Sequence, residues 1–66
     1  MYIVIELQTN EKGQVSNIVT SYADLNEAYS KFFTILSAAA TSSVKIHSAI
    51  IIDSTGMNIA QRSFTH

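Results

Sequence analysis

The chain has no cysteine, no proline, only two glycines, and just four Lys or Arg residues against five acidic ones. Without cysteine there is neither a disulfide framework nor a thiolate zinc site, and the composition fits a reducing compartment. The basic residues are scattered as Lys12, Lys31, Lys45 and Arg62, and the formal net charge is -1. No stripe forms that could neutralise phosphates, so no nucleic-acid partner is expected. Gly13 and Gly56 are too far apart to make a glycine-rich phosphate cradle and read as turn residues. No apolar run approaches the ~20 residues of a membrane span, and the opening MYIVIELQ lacks the basic region of a secretory signal. The expectation is a soluble, cytoplasmic protein without membrane contact.

These absences weigh more heavily because the chain has only 66 residues. That is room for one domain, residues 1–66, whose single core is marginal unless something reinforces it. Disulfides are excluded. His47 and His66 are the only histidines, and with scattered carboxylates they fall short of the three or four convergent ligands a metal needs. No cofactor is expected. What remains is self-association, or dense packing of a chain that is 47% hydrophobic.

Four strands and one helix are legible. Tyr2 to Gln8 alternates, with Ile3, Ile5 and Leu7 on one side and Tyr2, Val4, Glu6 and Gln8 on the other. The polar segment Thr9 to Gly13 ends in glycine, as a hairpin connection of that length requires. A second strand is predicted from about Gln14 to Ser21. Asp24 stands three residues before Glu27, a capping-box spacing that starts a helix near Leu25. At ~100° per residue, Leu25, Ala28, Tyr29, Phe32, Phe33, Ile35, Leu36, Ala39 and Ala40 share one face. Glu27 and Lys31 lie at i,i+4 on the other. Thr41 to Ser43 stops the helix, a third strand runs from Val44 to about Ile52, Asp53 to Gly56 turns, and a fourth strand covers about Met57 to Phe64. The order is ββαββ, an α+β two-layer domain with a four-stranded antiparallel or mixed sheet and the helix on one face.

One helix cannot cover that sheet. Four strands ~4.8 Å apart exceed the ~10 Å width of a helix, and the far face has no cover at all. The third strand is apolar on both sides, since Ile50, Ile51 and Ile52 are consecutive. If Ile3, Ile5, Leu7, Val44, Ile46, Ile50 and Ile52 point to the helix, the open face carries Tyr2, Val4, His47, Ala49 and Ile51. Contiguous apolar surface of this kind marks a protein interface, and the commonest closed solution is a homodimer.

Chemistry is sparse. A catalytic reading would pair His47 with Ser48, or with Glu6 or Asp53 on a neighbouring strand. Adjacent strand residues point to opposite faces, so His47 and Ser48 cannot cooperate. The plainer reading makes His47 a half-buried strand residue, leaves the terminal His66 mobile, and places Tyr29, Phe32 and Phe33 in the core instead of on a stacking platform. A tautomerase-like subunit would carry a proline directly after the initiator Met as its base, and Tyr2 stands there instead. No catalytic residue and no enzymatic activity are assigned.

Several segments together carry a resemblance: IELQ closing the first strand, NIVTSY at Asn17 to Tyr22, LSAAATSSV at Leu36 to Val44, IHSAIII at Ile46 to Ile52, and the final His66. In these the chain resembles short uncharacterised proteins encoded in phages and prophages of Gram-positive bacteria, often among tail and lysis genes. The resemblance implies a setting and no mechanism. Two functions stay open. One is a homo-oligomeric interaction or structural accessory module that could also offer an edge to another protein. The alternative is a small-ligand binder or minimal enzyme whose pocket lies between subunits, with His47, Tyr2, Glu6 and Arg62 as its polar groups.

Overall fold

The computed structural model describes all 66 residues as β1 (Tyr2–Thr9), β2 (Val15–Tyr22), α1 (Leu25–Ala40), β3 (Ile46–Asp53) and β4 (Asn58–Thr65). The strands form one sheet in the order β2-β1-β3-β4. Every neighbouring pair is antiparallel. The helix lies mainly over the central strands β1 and β3, giving the expected two-layer α+β domain.

Both hairpins turn by the same device. Asn10 Oδ1 accepts from the backbone N–H groups of Lys12 and Gln14, and Asp53 Oδ1 accepts from those of Thr55 and Met57. Three residues after each stands a glycine with positive φ, Gly13 at 81° and Gly56 at 87°. Each glycine N–H donates to the carbonyl of that Asn or Asp. A β-carbon disfavours this left-handed conformation, which is why glycine occupies the position.

The helix starts where Asp24 accepts from the Asn26 N–H at 2.8 Å. The Glu27 return of a full capping box is not formed, and no Glu27–Lys31 ion pair closes. At the other end, His66, expected to be mobile, is hydrogen-bonded through both its backbone and its ring. Its backbone N–H donates to the Lys45 carbonyl at 2.8 Å, and its ring Nε2 lies 2.8 Å from the Ala39 carbonyl. That ring serves a helix end whose last turn has no basic residue, adding a second contact to a carbonyl that also accepts from the Ser42 N–H.

The facing of the sheet is the reverse of the expected one. Tyr2, Val4, His47, Ala49 and Ile51, expected on the open face, lie beneath the helix. Val4, Ala49 and Ile51 cluster with Ala28, Phe32 and Ile35, and His47 is only 4% exposed. Ile3, Ile5, Leu7, Ile46, Ile50 and Ile52, expected to meet the helix, occupy the uncovered face. Val44 precedes β3 and belongs to neither. The physical reason is fit. The helix brings the bulk of Phe32 and Ile35 to the contact, and Ala49, Ala28 and Ala39, all at 0% exposure, let the layers approach closely. Phe33, expected in the core, is 59% exposed and stacks on the Tyr29 ring at 5.9 Å.

Candidate functional site

Two features could carry function: a polar pair beneath the helix and the apolar face opposite it. The pair is His47 and Glu6, whose Nε2 and Oε2 atoms are 2.6 Å apart. β1 and β3 pair Glu6 with Ala49 and Gln8 with His47, so the two side chains meet diagonally on the helix side. With the proton on Nε2 the ring donates to the carboxylate, and Gln8 Nε2 donates to the same oxygen at 3.0 Å. Burial alone pushes the Glu6 carboxyl up, but the hydrogen bonds from His47 and Gln8, with the nearby charges of His47 and Lys31, outweigh it. The carboxyl is held below its ordinary value. His47 Nδ1 is buried without a partner.

A histidine–carboxylate pair can orient a base, but a nucleophile or substrate must reach the ring. Neither residue lines any of the three surface cavities. Ser48 points to the other face, where its hydroxyl donates to Ser63 Oγ at 2.9 Å. Asp53 turns its carboxylate into the β3–β4 turn. Of the four polar residues considered for a pocket between subunits, the structure joins only His47 and Glu6. Tyr2 lies four residues along β1 from Glu6, and Arg62 sits on edge strand β4 with its guanidinium 5.2 Å from the Phe64 ring centre. A cleft of about 380 Å³ between the β1–β2 turn and the start of β3 is lined by Gln8, Glu11, Ser43 and Lys45 among others. No group of three or more His, Cys, Asp or Glu converges anywhere.

The opposite face is chemically simpler. Register places Ile3, Ile5 and Leu7 of β1 beside Ile52, Ile50 and Ser48 of β3, with Ile46 at one end and Val19 and Val15 of β2 extending the patch. The strands carry only three charged residues, Glu6, Asp53 and Arg62, and alternation puts all three on the helix side. The six Ile and Leu residues of β1 and β3 on this face are half-buried. Sequence patterning missed this surface because both sides of β3 are apolar, and the small residue Ala49 was the one signal of which side a helix approaches.

No family model, curated protein or solved structure matches this chain. No helix in it is long and apolar enough to cross a membrane.

Proposed function

We propose that this protein is a homo-oligomeric interaction or structural accessory module, in the phage or prophage setting that its resemblance implies, and that two copies meet through the uncharged sheet face. The observation carrying this reading is that the larger aliphatic surface lies where no layer covers it. Beneath the helix the sheet contributes Val4, Ala49 and Ile51 to the core cluster. The open face holds Ile3, Ile5, Leu7, Ile46, Ile50 and Ile52.

Size and charge name the occupant. Four strands of eight residues present a face of ~19 by ~26 Å. Its projected area of ~500 Å² reaches the upper range for the largest patch on a monomer. With side-chain relief it approaches the ~800 Å² per partner of a stable interface. Interface centres are depleted of charge, and a neutral face meets its own copy without placing like charges opposite. Sheets packed this way stand ~10 Å apart with their strands aligned within ~30°, leaving the two helices on the outside.

Sedimentation equilibrium across micromolar concentrations tests the reading. The wild type is expected to be a dimer or larger, and Ile50→Lys to lose this contact while keeping its far-ultraviolet circular dichroism. Ile50→Thr keeps the β-branched shape and is expected to weaken association without abolishing it. A monomeric wild type, or an Ile50→Lys variant that associates as strongly as the parent, overturns it.

A further inference from the structure

The two edges of the sheet are built differently. β4 carries Arg62 and a register shift, Ile51 pairing with Ala60 but Ile52 with Asn58, so that Ile59 is an extra residue. Charge and bulges are the devices by which edge strands refuse partners. β2, with the sequence VSNIVTSY, has no charge, proline, glycine or irregularity against β1. It is also apolar on both faces, with Val15, Ile18 and Val19 at 59%, 52% and 55% exposure. These are three of the six exposed large hydrophobic residues in the protein.

The backbone of β2 is directional as well. Asn10 N–H donates to the Gln14 carbonyl, which makes Asn10 and Gln14 a hydrogen-bonded pair at the mouth of the hairpin. Such pairs alternate along an antiparallel ladder. Ser16, Ile18, Thr20 and Tyr22 therefore bond to β1, whereas the N–H and C=O groups of Val15, Asn17, Val19 and Ser21 face outward with no strand beside them.

We infer that β2 pairs antiparallel with β2 of a second copy, about a two-fold axis through Ile18 and perpendicular to the sheet. This rests on the self-association proposed above but uses a different surface. In this register Ile18 faces Ile18, Asn17 faces Val19 and Val15 faces Ser21, so the outward backbone groups of one copy meet those of the other. Residues of equal parity pair, which keeps both helices on one side of an eight-stranded sheet. The helix sits over β1 and β3, leaving the β2 seam clear, and no charged side chain is brought into it. The apolar faces of the two copies become continuous, so that edge and face contacts together build a four-chain assembly.

Amide hydrogen exchange by NMR, with sedimentation at the same concentration, tests the pairing. The Asn17 and Val19 amides are expected to be protected, and the Gln61 and Ser63 amides at the other edge to exchange freely. Asn17→Pro removes an outward N–H without costing a bond to β1 and blocks the edge with its ring. It should lose Val19 protection and halve the assembly mass from four chains to two. Ile18→Lys, which sets two like charges on the axis at an already exposed position, should do the same. Ile50→Lys should keep the β2 protection while losing the face contact. Free Asn17 and Val19 amides in a wild type that still sediments above the monomer overturn the edge pairing and leave the face contact standing. A monomer with free β2 amides overturns both.

Discussion

His47 on β3 and Glu6 on β1 share a short hydrogen bond, 2.6 Å between Nε2 and Oε2, with side chains only 5% and 13% exposed. It is the only ion-pair contact in the protein, and it lies where the helix seals one face of the sheet. Buried polar groups of this kind are costly when only one partner remains. The pair bridges the two central strands diagonally, in the register that sets Gln8 beside His47.

Stability should therefore fall in acid through Glu6. A carboxyl held below its ordinary value of 4.5 when folded contributes stability that is fully present above that value. The contribution is lost as pH drops through the folded pKa. Thermal denaturation from pH 7 to pH 3 should show a flat region, then a decline beginning near 4.5. Glu6→Gln, which can still accept from His47, should flatten part of that decline. Part should remain with Asp53, whose carboxyl is lowered chiefly by the Thr55 hydroxyl and then by the Met57 N–H. An unchanged slope in Glu6→Gln would show that the pair does not couple to folding.

Neighbouring isoleucines should respond differently to truncation. Ile51 is at 0% exposure under the helix, and Ile51→Ala should cost about 2–5 kcal/mol at any protein concentration. Ile50→Ala removes the same atoms from the open face. Its cost in urea titrations should be smaller when dilute and should grow with protein concentration, as mass action requires of an interface residue.

The turn glycines should resist substitution for reasons of backbone alone. A β-carbon on Gly56 would meet nothing within 4 Å, so Gly56→Ala introduces no clash, only the left-handed conformation. A loss of about 1–2 kcal/mol is expected, measurable by chemical denaturation. Gly13→Ala should behave alike, its site being equally open.

The helix, observed as Leu25–Ala40, was legible from about Leu25 to the polar stop at Thr41, because the Asp24 cap and that stop bound the apolar arc. The strands were placed within about two residues of their observed ends for the same reason, alternation bounded by turn signals. Facing was not legible. Assigning the greasier side of β1 and β3 to the helix assumes that one chain buries its own best surface, and here the two alanines Ala28 and Ala49 show that close approach governed the choice. The sequence offers His47 several partners and does not single out Glu6, since diagonal neighbours depend on a register that no single strand encodes.

The registers within the two hairpins begin at Asn10 and Asp53. A strand oily on one side corrects its own errors, because a slip of one residue would drown its core face in water. β3, with Ile50, Ile51 and Ile52 in a row, has less of that safeguard, because it is apolar on both sides. The side-chain oxygens of Asn10 and Asp53, each clasping two backbone amides beside a left-handed glycine, count the residues that the hydrophobic pattern leaves uncounted. The two hairpin turns thus set the pairing on either side of the sheet, while the alanines beneath the helix decide which surface becomes the interior and which is left for a neighbour.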